Sequence, residues 1–462
     1  MKHIPILRFG TPYESLDQSN VIDHRNGEVL ATVSIANGGV LRKDLRGMNG
    51  IFRRMQEIPQ ADLSAMCKKA ADIFMNDEAP QSVDEYVRVL SLTSGLPHTL
   101  CRANMEKIAY VLRNIDYVLE GLSRGLDLSI LDAGFRDGLS YFPNTNALGV
   151  ILPSNSPGVN SLYLPTIALK VPLLLKPGRE EPWTPFRVIQ SFVQAGVPAD
   201  FFGFYPATHE GSGVILEKAG RCILFGDKKV ANMYSGNSGI SVHGPGYSKI
   251  VIGEDEIDNW ESHVDLIVQS MVAGGGRSCI CASTIVVPRH AEAIGKAVAE
   301  RLDAIKPVGL EDPNARLSAF AKKRVGNAIN GMLDSRLGDG ESGARCLTVT
   351  DRAVEVEDSL YLRPALVHCT DRDHPLAKTE FLFPYASIVE IPQAEAVDYM
   401  GPSLVVAAVT KDPAFTRELL SAPTIQRLNL GNLPTTKVEW NQPHEGNLFE
   451  FLYSRRAISM AS

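Results

Sequence analysis

Ala147-Leu148-Gly149-Val150-Ile151-Leu152-Pro153-Ser154-Asn155-Ser156-Pro157 opens the part of the chain that decides its fold. A run without a polar side chain stops abruptly at a Pro-Ser-Asn-Ser-Pro turn, as a strand buried on both faces does. Similar short runs recur at 172–175, 201–205, 221–225 and 249–252, with helical patterns at 184–194 and 211–218 between them. Short apolar strands alternating with helices predict a parallel sheet covered on both sides. Ligands of such sheets sit beyond the carboxyl ends of the strands, so Asn155 is placed to donate its amide to a developing oxyanion. Turn chemistry alone also explains an asparagine between prolines.

Outward from this stretch, the chain up to about residue 128 reads mainly helical. Residues 98–122 carry Ile108, Val111, Leu112, Ile115, Val118 and Leu119 at helical spacing. Toward the C-terminus a second α/β series follows: helix 259–272, strand 282–287, helices 291–302 and 317–333, strands 365–368, 386–390 and 404–409, and a helix at 413–420. The tail, 448–460, alternates with aromatics and reads as an exposed edge strand. A hydrophobic edge needs a partner, which suggests a second subunit.

Within the second series, Gly274-Gly275-Gly276-Arg277-Ser278-Cys279-Ile280-Cys281 ends a helical pattern and precedes a strand. A thiol on a glycine-rich turn is open to a substrate, a setting that a nucleophile needs and a structural cysteine does not. Cys281 lacks a second Cys/His pair nearby, so no metal site is expected. Lys176, in Lys176-Pro177-Gly178-Arg179, follows the strand 173–175, where a cation suits a ribose or phosphate as well as plain solvent. Glu380, heading Glu380-Phe381-Leu382-Phe383-Pro384, suits a sugar diol or a turn cap. No Gly-x-Gly-x-x-Gly fingerprint follows any strand.

Composition narrows the function class. The chain has 462 residues, enough for two or three packed units. Its net charge of −7 and lack of a basic stripe argue against nucleic acid. No apolar stretch approaches the roughly 18 residues that span a membrane, and Met1 to Arg8 does not resemble a signal peptide. The cysteines at 67, 101, 222, 279, 281, 346 and 369 are scattered and odd in number. That is the pattern of reduced thiols, and a cytoplasmic enzyme is expected.

Taken in order, these stations resemble the aldehyde dehydrogenase superfamily. Pro153-Ser154-Asn155-Ser156-Pro157 stands where that family has Pro-Trp-Asn-Phe-Pro, and Lys176-Pro177 stands at its Lys-Pro station. Gly276-Arg277-Ser278-Cys279 is similar to its Gly-Gln-x-Cys, and Glu380-Phe381-Leu382-Phe383-Pro384 to its Glu-x-Phe-Gly-Pro. Phe449-Glu450-Phe451-Leu452-Tyr453 looks like its last intersubunit strand. The likeness runs from about Leu139 to the C-terminus. It implies an α/β fold of two Rossmann-like parallel-sheet domains with a small bridging and oligomerisation β element. Residues 1–128 and 145–247 would form the cofactor-binding domain, 248–436 the catalytic domain, and 129–144 with 437–462 the bridging strands. It further implies Cys279 as nucleophile and an oxyanion hole made by Asn155 and the Cys279 amide. Lys176, Arg179, Gly226, Glu380 and Leu382 would contact NAD or NADP. A homodimer or homotetramer is implied, with Cys281 a bystander.

Three departures refine this. His243, in His243-Gly244-Pro245-Gly246, stands where hydrolytic members carry the glutamate base of Glu-Leu-Gly-Gly. That swap resembles the CoA-acylating, acyl-CoA reductase branch. Coenzyme A, an already partly ionised thiol, needs less help than water to discharge a thioester. His243 itself fits a general base, a grip on coenzyme A phosphates, or a structural hydrogen bond. Arg179 stands where NAD-preferring members have glutamate, which admits NADP. Asp227 sits in a turn near the pyrophosphate, where an anion is unfavourable unless it points away. The sequence therefore favours an NAD(P)-dependent enzyme acting on an aldehyde or acyl-CoA, ahead of a hydrolytic aldehyde dehydrogenase giving a free acid. An inactive scaffold homologue comes last.

Overall fold

The computed structural model describes residues 2–77, 81–136, 138–338 and 343–459. Two seven-stranded sheets dominate it. The first runs, from one edge, through Ile240–His243, Arg221–Phe225, Leu148–Ile151, Leu173–Lys176 and Phe202–Phe204, and then Ile6–Arg8 and Thr11–Tyr13. The first five strands are parallel and in register, with Phe225 opposite His243 and Ile151 opposite Lys176. Their carboxyl ends therefore form one edge. Leu148, Val150, Leu173 and Leu175 are fully buried, which accounts for the unalternating apolar runs.

The second sheet follows the order Ala344–Cys346, Ala365–Cys369, Tyr385–Glu390, Ala282–Val287, Ser248–Ile252, Ser403–Val409 and Ile425–Leu430. Only Ala344–Cys346 at its edge pairs antiparallel. The chain passes from Ile240–His243 through Gly244, Pro245, Gly246 and Tyr247 directly into Ser248–Ile252. That short crossing sets the carboxyl edge of the first sheet against the amino edge of the second. The seam between the two edges is where the candidate residues gather.

Several expectations need correction. Residues 2–36 hold short strands and turns, not helix: His3–Ile4, Gln18–Ile22 and Val29–Ser34 form a small sheet. An Asn26-Gly27 turn with Gly27 at φ +78° reverses the chain between its last two strands. Helices begin at Gly38. The helix expected at 98–122 is two, His98–Arg113 and Ile115–Leu122, parted at Asn114. The one expected at 259–272 breaks at Asn259 into a 3₁₀ segment and Val264–Val272. The one expected at 317–333 lies at Lys323–Leu337. The tail is a short helix, Leu448–Leu452, and then a strand, Tyr453–Ala457, that pairs with Leu139–Pro143 of the same chain. Its aromatics pack inward: Phe449 and Tyr453 stack at 5.5 Å, and the Tyr453 hydroxyl donates to Leu169 O at 2.7 Å. No helix among the described residues is long and apolar enough to cross a membrane.

Candidate active site

The cysteine turn is fixed from three sides. Helix Val264–Val272 gives way to Gly274, Gly275 and Gly276 at φ +61°, +69° and +70°, backbone that side chains rarely adopt. A Cβ on Gly276 would lie 2.2 Å from Pro384 N, so the turn presses on the 383–384 segment. Arg277 then buries its guanidinium, donating to Ser94 O at 2.8 Å and to Ala319 O. Burial lowers its pKa to about 10, which leaves it charged. The Ser248 hydroxyl donates to Cys279 O at 2.8 Å.

Cys279 is half-buried at the floor of a cleft of about 690 Å³. Burial holds its thiol well above the usual range, and the Glu445 and Glu380 carboxyls push the same way. Cys281 is buried, donates to Ala273 O at 3.2 Å, and is pushed up to about 12 by burial. Only Cys279 of the two lines the cleft.

Asn155, Gly226, His243, Glu380 and Leu382 line the same cleft as Cys279. The Asn155 amide donates to Arg277 O at 3.0 Å, two residues before the thiol. An amide carries two N–H donors, so one remains for an oxyanion. Glu380 is turned onto backbone: Tyr247 N donates to it at 2.6 Å and Gly246 N at 3.4 Å. Burial nevertheless raises its carboxyl to about 7.

Lys176 and Arg179 are not brought into this lining. Lys176 ends its strand half-buried, with burial lowering its pKa against the pull of Glu180. Arg179 is exposed, and the next residue, Glu180, pairs with Lys322 at 2.5 Å. Asp227 lines the cleft and caps helix Lys228–Tyr234, accepting from Val230 N at 2.9 Å.

His243 lies in a wall between two cavities. Its Nε2 meets the Ser241 hydroxyl at 3.2 Å, its Nδ1 touches the Glu445 carboxylate, and its ring packs on Phe225 at 4.9 Å. Behind it is a second space of about 320 Å³ lined by Ser161, His243, His444 and Glu445 among others. His444, Trp440 and Val438 also line the main cleft, and a ring nitrogen of His444, a Glu445 oxygen and Cys279 Sγ all lie within 4.8 Å of one another. Sequence reading missed this loop because it assigned 437–462 to bridging strands. The signal present was His444-Glu445-Gly446, a proton-handling pair on a turn that no strand needs.

The aldehyde dehydrogenase family pattern matches residues 11–400. A 5-carboxymethyl-2-hydroxymuconate semialdehyde dehydrogenase from Escherichia coli is 21% identical over 392 residues, 80% of each chain. A malonate-semialdehyde dehydrogenase from Listeria innocua is 20% identical over 397 residues, 80% of this chain and 76% of that one. Among solved structures, the aldehyde dehydrogenase KauB from Pseudomonas aeruginosa superposes with a TM-score of 0.83 at 17% identity, covering 99% of this chain and 96% of its own. An aldehyde dehydrogenase from Bacillus cereus in complex with NAD+ gives 0.81 at 15% identity, over 100% and 97%. A 3,6-anhydro-L-galactose dehydrogenase in complex with NAP gives 0.81 at 13%, over 99% and 100%. A thiol on a glycine turn, an amide fastened beside it, and a family pattern spanning most of the sequence lead to one conclusion: this chain belongs to the aldehyde dehydrogenase family.

Proposed function

We propose that this chain oxidises an aldehyde with NAD(P)+ through a covalent thioester on Cys279. The observation that carries the reading is the cleft floor, where Cys279 and the Asn155 amide are held together by the hydrogen bond to Arg277 O. The cleft has room for the cofactor's nicotinamide end: Gly226 presents no side chain, Leu382 stands 44% exposed at the mouth, and Glu380 offers a carboxyl. Gly226, Glu380 and Leu382 would hold that end, with Lys176 and Arg179 toward the adenosine side; bound NAD(P)+ supplies the hydride acceptor. Solved relatives in complex with NAD+ and with NAP support either form.

Cys279 attacks the aldehyde carbon, and Asn155 with the Cys279 amide takes the charge that develops on oxygen. Loss of hydride leaves a thioester. The histidine at 243 favours coenzyme A as its acceptor, an acyl-CoA reductase reading of the same site. The Glu445 carboxylate beside Cys279 favours water, because it returns to the site the carboxylate that position 243 lacks. Water is the reading the geometry supports better.

Lys107, on helix His98–Arg113, lines the cleft, and burial lowers its pKa with no carboxylate among the groups that offset it. An aldehyde bearing a carboxylate would supply that partner, in keeping with the semialdehydes named for the relatives. The test is NAD(P)H formation with a panel of neutral and carboxylated aldehydes, with and without coenzyme A. Turnover lost in Cys279→Ser, and a KM raised about tenfold for carboxylated substrates alone in Lys107→Met, are expected. Coenzyme A-dependent turnover selects the acyl-CoA reductase reading. Turnover retained by Cys279→Ser refutes the site.

A further inference from the structure

The wall between the two cavities concentrates polar atoms that form no hydrogen bond among the described residues. Ser161 Oγ, His243 Nδ1, His444 Nδ1 and Glu445 Oε2 are all buried and lack a hydrogen bond, and all four residues line the second cavity. His243 Nδ1 and Glu445 Oε2 touch each other, but off the direction that a hydrogen bond requires. Unsatisfied buried groups around a space of about 320 Å³ describe a chamber for water.

The backbone adds an independent sign. Glu445 sits at φ +51°, in the left-handed region that glutamate rarely adopts. A tight turn, with His444 N donating to Gly446 O at 3.0 Å, holds it there. Strain of this kind persists where surrounding structure imposes it, and it clusters at functional sites. Here it brings two consecutive side chains, His444 and Glu445, to one thiol.

We propose that His444 and Glu445 form the proton-transfer pair of Cys279, fed by the water chamber behind them. This deepens the oxidation reading above and rests on it. His444 takes the thiol proton as the S–H bond breaks and the C–S bond to the aldehyde carbon forms. After hydride has left to NAD(P)+, His444 passes that proton to chamber water. It then takes a proton from the water that attacks the thioester. The C–O bond forms, the C–S bond breaks, and the leaving sulfur recovers the proton from His444. The product acid loses its own proton to solvent, so each turnover yields one carboxylate, one reduced cofactor and two protons.

Burial keeps both partners neutral at rest, raising the thiol and lowering the imidazole. Burial lowers His444 to about 4, assisted by Arg427 and His243 and opposed by Glu445, so the resting imidazole is neutral and able to accept. A thiolate within 4.8 Å then favours the imidazolium, as Glu445 does, so the two transfers are coupled. His243 is less suited to the task, since both its ring nitrogens face Ser241 and Glu445.

The test needs no substrate. Alkylation of Cys279 in the full chain by iodoacetamide, followed by peptide mass spectrometry from about pH 6 to about pH 10.5, reads the thiolate directly. His444→Gln should slow the reaction at least tenfold near neutral pH, by a factor that shrinks as the pH rises. Superimposed profiles overturn the proposal. Glu445→Gly provides a variant that the backbone favours, since glycine suits φ +51°. It should melt no lower than wild type yet lose at least tenfold in turnover, and retained turnover would likewise overturn the assignment. A wild-type chain that oxidises no aldehyde refutes the oxidation reading, while the alkylation profiles still decide the role of His444.

Discussion

Replacing Gly246 by alanine should disable the enzyme without changing any residue that does its chemistry. A Cβ at this position would stand 1.9 Å from Cys279 O, 2.7 Å from Cys279 C and 3.1 Å from Cys279 Cβ. The oxygen would have to retreat by about 1 Å merely to reach the 3.0 Å that real Cβ contacts observe. It cannot do so freely, because Ser248 Oγ holds the same oxygen and Leu404 N holds Gly246 O at 2.8 Å. A shift of that size in the Cys279 backbone carries the thiol with it, and misplacing a nucleophile by about 1 Å costs on the order of 100-fold in rate. Overpacking also destabilises, by about 2 kcal/mol. Two residues earlier, Gly244 provides the control: its added Cβ meets Ala231 Cβ at 3.7 Å and Gly226 O at 3.9 Å, ordinary contacts. Steady-state kinetics and urea unfolding of Gly246→Ala and Gly244→Ala should show the first falling about 100-fold in kcat/KM and the second staying within a few-fold of wild type. A Gly246→Ala variant as active as Gly244→Ala would mean that the crossing does not set the thiol.

Glu380 yields a prediction about pH. Burial raises its folded-state pKa to about 7 from an ordinary 4.5, so its contribution to stability is full below 4.5 and is lost as pH rises through about 7. The urea midpoint of wild type should therefore fall relative to that of Glu380→Gln between about pH 5 and about pH 8, and parallel midpoints would refute the burial argument. Arg277→Met should lose about 3 kcal/mol in urea unfolding, because Ser94 O and Ala319 O are left buried without their charged donor. A loss below about 1 kcal/mol would show that water or a shifted backbone replaces the guanidinium.

The parts legible in the sequence were those whose physics is local. Strand 282–287 coincides with its expected bounds, and 148–151 and 173–176 lie within a residue of theirs, because burial on both faces leaves mainly apolar or small side chains. Cys279 was legible because three positive-φ glycines can hardly be any other residue. Ile240–His243 was not, since two of its four residues are only half-buried and the strand is short. The N-terminal strands were lost to the same cause: three residues such as Ile6–Arg8 carry no period. Glu445 illustrates a deeper limit. Its place beside Cys279 comes from a turn closing 166 positions downstream, and no spacing rule links the two.

That distance bears on what a missing residue means. Histidine at 243 suggests a site without a carboxylate when the chain is read in line, and coenzyme A follows from that suggestion. In space the carboxylate is present: it touches the histidine and lines the second cavity with it, within 4.8 Å of the thiol. The edge-to-edge meeting of two sheets makes such relocation simple. Any loop that reaches the seam approaches the same thiol, so the base is constrained to a location and not to a sequence position. The constraint on Cys279 and Asn155 is tighter, because the oxyanion forms at one point and its donors must already be there. The nucleophile and the amide are accordingly fixed by backbone contacts at Gly246, Gly276 and Arg277 O, while the proton-handling groups stand on a strained turn from the far end of the chain.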